Sequence, residues 1–156
     1  MKILLIEDDQ HKSSQVTSFL ENEIQNIEMT LKKSYQSGLK EILSNDFDLI
    51  LLDMQLPNFD IKPGEDGYKF RKLAGLDILE EVERKEKDCK ILIITQFETF
   101  GEGESYIDLN DLKHILKENH AKNYIDTVFY SPENSMWQSI LINLIKEIFN
   151  VDNFNS

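Results

Sequence analysis

Five short apolar runs punctuate the chain: "KILLI" (2 to 6), "IEMTL" (27 to 31), "DLILLD" (48 to 53), "KILIIT" (90 to 95) and "YIDTVFY" (124 to 130). Continuous Ile, Leu and Val of this length fits strands covered on both faces, as in a parallel sheet, better than half-solvated hairpins. Between the runs the apolar residues take helical spacing. Val16, Phe19, Leu20 and Ile24 form one stripe, Leu39, Ile42 and Leu43 a second, and Leu76, Leu79 and Val82 a third. Leu109, Leu112, Ile115 and Leu116 form the fourth; Trp137, Ile140, Leu141, Leu144, Ile145 and Ile148 form the last and strongest. Strand then helix, repeated five times, predicts right-handed crossovers around a five-stranded, doubly wound parallel sheet, a three-layer α/β sandwich.

Two stretches interrupt the alternation. "IKPGEDGYKFRKLAG" (61 to 75) delays the third helix and "TFGEGESYID" (99 to 108) the fourth. Both exceed the usual length of such connections and both follow strand ends, where open α/β sheets bind ligands, so each reads as a functional or mobile loop. The chain of 156 residues otherwise reads as one domain over 1–150, with 151–156, in "NVDNFNS", as a frayed tail.

Charge narrows the function classes. Lys+Arg 17 against Asp+Glu 29 gives a formal charge of -12, which repels nucleic-acid phosphates and anionic membranes and argues against both as direct partners. A lone Cys89 rules out an internal disulfide framework or a cysteine-built zinc site and fits a reducing compartment. No apolar stretch approaches the roughly 20 residues of a membrane span, so the expected location is the cytoplasm. His11, His114 and His120 lack metal-ligand spacing, and "GEGES" (101 to 105) lacks the Lys-Ser/Thr of a phosphate-binding loop.

The candidate chemistry lies at the strand ends. The first run ends in Glu7, Asp8 and Asp9, the third in Asp53, and a parallel sheet brings these ends to one edge. Converging carboxylates repel unless a divalent cation, a proton or a lysine intervenes, and oxygen-only ligation suits Mg²⁺. The competing explanation is that Glu7, Asp8 and Asp9 simply cap the first helix. The metal reading requires that Glu7 and Asp8 face Asp53 and that no permanent salt bridge fills the space between them.

Together, "ILLIEDD", "DLILLDMQLP", "GLDILEEV" (75 to 82) and "ILIIT" resemble the receiver domain of bacterial response regulators over nearly the whole chain. The resemblance implies a flavodoxin-like fold with strand order 2-1-3-4-5. It implies Asp53 as phosphoacceptor, Thr95 as switch hydroxyl and Pro57 closing the loop after the acceptor. It further implies Mg²⁺ on Asp8, Asp53 and the backbone carbonyl of Gln55, with Glu7 acting through water. The implied partners are a histidine kinase or phosphotransferase and a separate downstream protein. The implied activity is at most Mg²⁺-dependent self-phosphorylation and autodephosphorylation, within a two-component system or phosphorelay.

The match fails at one place. The family carries a lysine before a proline at the end of its fifth strand, where this chain has Ser131 before Pro132, and Val128 stands at the family's aromatic switch. Serine supplies no positive charge, and Ser131–Pro132 instead suggests an N-cap for the Trp137 helix. Loss of the lysine should leave the metal-free pocket less stable, or a carboxylate there with a raised pKa. Lys62, Lys69, Arg71 and Lys72 are the candidate replacement cations, since their loop starts beside Asp53. The leading expectation is a stand-alone receiver phosphorylated on Asp53. The alternatives are a phosphorylation-independent pseudo-receiver acting as an interaction module and, more distantly, a Mg²⁺-dependent phosphohydrolase.

Overall fold

The computed structural model describes residues 1–62, 70–100 and 106–150. In chain order its elements are β1 (Lys2–Ile6), α1 (Gln10–Glu23), β2 (Glu28–Lys32), α2 (Tyr35–Ser44), β3 (Leu49–Leu52), β4 (Leu56–Pro57), β5 (Phe70–Arg71), α3 (Ala74–Arg84), β6 (Lys90–Thr95), β7 (Thr99–Phe100), β8 (Ile107–Asp108), α4 (Leu109–Asn119), β9 (Tyr124–Phe129) and α5 (Met136–Phe149). Five strands form a parallel sheet in the order β2-β1-β3-β6-β9, the expected 2-1-3-4-5 arrangement.

Alternation along the strands divides the core in two. Leu4, Ile6, Ile50, Leu52, Ile91 and Ile93 point to one face, where Ile42 of α2, Leu79 of α3 and Leu112 of α4 cover them. Ile3, Leu5, Leu49, Leu51, Leu92 and Ile94 point to the other, against Val16 and Leu20 of α1 and Leu141 and Ile145 of α5. Every residue of β3 is buried, as its unbroken "LILL" predicts. The edge strand β2 departs from that expectation, with Glu28 and Leu31 exposed, because only one neighbour borders it.

Local chemistry sets most helix starts. The Asp9 carboxylate accepts the Lys12 amide at the head of α1, Ser34 and Ser37 form a reciprocal capping box on α2, and Asp108 accepts the Asp111 amide on α4. The last helix corrects one expectation. It begins at Met136 after Ser135, and Ser131 does not cap it; the Ser131 hydroxyl accepts the Glu133 amide at 3.3 Å in a turn. Pro132 therefore belongs to that turn, ahead of α5.

Both interruptions contain short antiparallel pairs that two-residue strands are too brief to announce in sequence. Leu56 and Pro57 pair with Arg71 and Phe70, and Thr99 and Phe100 pair with Asp108 and Ile107. Residues 63–69 and 101–105 of the two expected loops, which include Lys69 and "GEGES", lie outside the described residues, as does the expected tail 151–156. No described helix is long and apolar enough to cross a membrane.

Candidate functional site: an acidic cluster closed by a helix-one lysine

The sheet reverses its winding at β1, so the carboxyl ends of β1 and β3 lie side by side at the topological switch point. Parallel pairing continues just past the strands, where the Asp53 amide donates to the Ile6 carbonyl at 3.1 Å. That bond sets Asp53 beside Glu7. Carboxylate oxygens of Glu7, Asp8 and Asp53 lie within 4.8 Å of one another, so the expected convergence is present. Glu7 and Asp53 are nearly inaccessible, at 2% and 3% exposure, whereas Asp8 is half-buried. One oxygen of each buried acid is held by backbone: Glu7 Oε1 accepts the Asp9 amide at 3.0 Å and Asp53 Oδ1 accepts the Met54 amide at 2.8 Å. Asp9 does cap α1, as the competing explanation held, but Glu7 and Asp8 turn to the cluster.

The counter-charge comes from α1. Lys12 Nζ lies 2.5 Å from Glu7 Oε2 and 3.4 Å from Asp53 Oδ2, and donates to the Ile94 carbonyl at 2.8 Å. Its side chain is 2% exposed, and the Tyr130 ring lies 5.8 Å from the ammonium. Lys12 precedes Val16 and Leu20 by one and two turns, so it occupies the buried stripe of α1 and points into the sheet edge.

This corrects the expectation that the post-acceptor segment supplies the cation. Arg71 is engaged elsewhere: it donates to Asn58 Oδ1 at 3.2 Å, pairs with Asp77 at 3.1 Å and stacks 3.8 Å from the Tyr35 ring centroid. Lys62 and Lys72 are exposed and Lys69 is outside the described residues. The helical stripe carried the missed signal. Extending Val16–Leu20 back by four residues reaches a lysine at a position otherwise reserved for core.

The cluster has one ammonium and three carboxylates, a formal excess of two negative charges when all are ionised. Burial pushes Glu7 up to about 7, with Lys12 opposing and Asp53 adding to the rise; burial and then the Glu7 charge push Asp8 up to about 6. Asp53 also rises, through burial, against the pull of Lys12. Burial alone would lower the Lys12 pKa, but the Asp53 and Glu7 charges outweigh it and the net direction is up. The directions are compatible because one cation shared among several acids stays charged while the acids compete for it. The carboxylates are raised chiefly by burial, and Lys12 opposes that rise.

A salt bridge does lie between Glu7 and Asp53, contrary to the condition set for the metal reading, but one ammonium among three carboxylates still leaves a formal excess of two negative charges. A hard divalent cation matches both the deficit and the all-oxygen donor set. Thr95, the candidate switch hydroxyl, is fully buried at the end of β6, and its Oγ1 accepts the Phe97 amide at 3.2 Å. Gln55 is partly buried, two residues beyond Asp53. Close approach of α3 seals the loop after β3: a Cβ at Gly75 would lie 3.1 Å from Met54 Cα and 3.2 Å from the Asp53 carbonyl oxygen. Cys89 is buried, with its thiol pushed up to about 11 by burial, which keeps it a thiol at neutral pH.

Comparison with known proteins agrees with this geometry. The family model of the response regulator receiver domain matches residues 3–129. The Detocs response regulatory protein DtcB of Enterobacter cloacae is 29% identical over 95% of this chain and 100% of its own length. An uncharacterised Sinorhizobium fredii protein, y4jR, is 26% identical over 92% of this chain and 95% of its own. Among solved structures, the Mn²⁺-bound form of response regulator Rcp1 superposes with a TM-score of 0.63 at 17% identity, covering 99% of both chains. TrrA of Thermotoga maritima, in complex with Mg²⁺ and BeF, superposes with a TM-score of 0.56 at 19% identity, covering 92% of this chain and 97% of its own. At these identities the structural likeness is one of fold.

Proposed function

The chain belongs to the response regulator receiver domain family, and from that premise we propose that Asp53 accepts a phosphoryl group from a phosphohistidine on a partner kinase or phosphotransferase and that the acyl phosphate alters contacts with a downstream protein. The observation that carries the reading is the placement of the Asp53 carboxylate, at the switch point and beside both Glu7 and Asp8. A carboxylate oxygen of Asp53 attacks phosphorus, the P–N bond breaks, and its electron pair remains on the departing imidazole. Oδ1 is held by the Met54 amide, which leaves Oδ2, on the Lys12 side, as the nucleophile. Little covalent chemistry is asked of the protein, so positioning and charge compensation supply most of the rate.

Glu7, Asp8 and Asp53, with the Gln55 carbonyl, are the groups that would hold Mg²⁺, which when bound supplies positive charge to the transferring group. The Mg²⁺ of TrrA and the Mn²⁺ of Rcp1, two similarly folded proteins, are consistent with that assignment. Thr95, at the end of the neighbouring β6, is the hydroxyl proposed to donate to the new phosphoryl group; its Oγ1 accepts the Phe97 amide, which leaves its O–H for that bond.

The Lys12 bridge itself favours a second reading. A buried ion pair already closing the acidic cluster is compatible with a static receiver fold that works as an interaction module. Intact-mass measurement after incubation with Mg²⁺ and a small-molecule phosphodonor separates the two. The acceptor reading expects a phosphate adduct on the native chain and none on Asp53→Asn. Absence of the adduct with small donors and with a matched kinase would leave the interaction module standing.

A further inference from the structure

We propose that Lys12 is the cation that binds the phosphoryl group, so that helix α1 takes over the work of the lysine missing after β9. The inference rests on the reading of Asp53 as acceptor. Three observations support it. Lys12 Nζ faces Asp53 Oδ2, the carboxylate oxygen not held by the Met54 amide, at 3.4 Å. A phosphoryl group built on that oxygen forms against an ammonium already in place. Among the described residues Lys12 is the base that the fold delivers there, whereas Ser131 is bonded into its own turn and Arg71 is held by Asn58 and Asp77. Finally, the ammonium is shared among Glu7, Asp53 and the Ile94 carbonyl, so it has contacts to exchange for stronger ones.

Phosphorylation replaces one carboxylate charge with a group carrying about two negative charges and three acceptor oxygens. The ammonium moves toward that charge and loosens its hold on Glu7 and on the Ile94 carbonyl. Because Lys12 rides on the first turn of α1, the pull is applied to that helix. A lysine after β9 would instead pull on the β9–α5 connection. Glu7, freed from Lys12, becomes available to a divalent cation.

Two measurements test this. Lys12→Met keeps the length and apolar stem of the side chain and removes the charge. Its phosphate adduct should form roughly 10²-fold more slowly than that of the native chain, the usual loss when one preorganised charge-stabilising donor is removed. Since Lys12→Met leaves buried acids unpaired, which works against folding, a crystal structure of the native protein with Mg²⁺ and beryllium fluoride gives an independent answer. Nζ within hydrogen-bonding distance of a fluorine supports the assignment. Nζ still resting on Glu7 and Ile94 overturns it, as does a folded Lys12→Met protein that is phosphorylated at the native rate. In those two outcomes Asp53 remains the acceptor; a native chain that takes no phosphate at all removes the acceptor reading and this inference with it.

Discussion

A single lysine decides how the pocket is balanced, and its contribution has a testable sign. Lys12 is the cation set against Glu7 and Asp53, so Lys12→Met leaves two buried carboxylates uncompensated. Breaking a buried pair from one side costs about 3–5 kcal/mol, and the denaturation midpoint should fall accordingly. Asp53→Asn changes the balance the other way: it removes one of three competing acids and retains an oxygen for the Met54 amide. Without metal, in EDTA at about pH 7.5, that variant should be more stable than the native chain. The gain should shrink toward about pH 5. Glu7 and Asp8 rise to about 7 and about 6 in the fold, so below those values the native cluster relieves itself by taking up a proton. Equal midpoints for Asp53→Asn and the native chain at both pH values would show that the acids do not compete. The three acids were legible in the sequence because strand ends in a parallel sheet must converge. Lys12 was not read, since a lysine three residues into a helix is ordinarily solvated, and its place on the core stripe becomes decisive only once Asp53 is known to lie opposite.

At the scale of elements, the loop after β3 is fixed by the approach of α3. The Gly75 amide donates to the Met54 carbonyl at 3.0 Å, and a Cβ at Gly75 would meet the Met54 Sδ and two backbone atoms, Met54 Cα and the Asp53 carbonyl oxygen, which cannot swing aside. Gly75→Ala should therefore push α3 away from Met54 and cost about 1–3 kcal/mol, the usual range for overpacking. A chemical denaturation series measures this. The same change should slow formation of the phosphate adduct, because Asp53 leans on the displaced backbone. An unchanged midpoint would mean that α3 yields without moving the loop. The helix itself was readable from Leu76, Leu79 and Val82, and Gly75 was noticed only as part of a resemblance. The mechanical reason for the glycine, a helix meeting a loop at backbone contact distance, needs coordinates. So do the β4–β5 and β7–β8 pairs, whose two-residue strands are too short for an alternating pattern. Ser131–Pro132 misled for a related reason: turn chemistry and cap chemistry use the same residues, and only the backbone path distinguishes them.

For the whole molecule, the α/β sandwich was legible because strand and helix periods alternate so regularly, whereas the strand order came only with the family resemblance; that order carries Asp53 to the edge where Glu7 and Asp8 end. The direction in which a signal leaves was not legible, since it depends on which element carries the pocket's cation. Lys12 anchors α1, its ammonium faces the Tyr130 ring, and Tyr130 packs on Trp137 with ring centroids 5.2 Å apart. Trp137 in turn meets Phe19 of α1 edge-on at 5.4 Å. A displacement of Lys12 is thus felt twice on the α1–α5 side, through the helix that carries it and through the ring it leaves. Nearby Met136 and Ile140 of α5 present apolar side chains to solvent, surface that a partner can read. Trp137 is the chain's one tryptophan, so its emission reports this side of the sheet without labelling. Adding beryllium fluoride to the Mg²⁺-loaded protein should change Trp137 fluorescence in the native chain and leave Asp53→Asn unchanged, and hydrogen exchange should alter more in α1 and α5 than in α4. If the fluoride analogue binds while Trp137 emission stays constant and exchange changes in α4 instead, the output runs over the opposite face of the sheet, and Lys12 acts on the phosphoryl group without transmitting its presence.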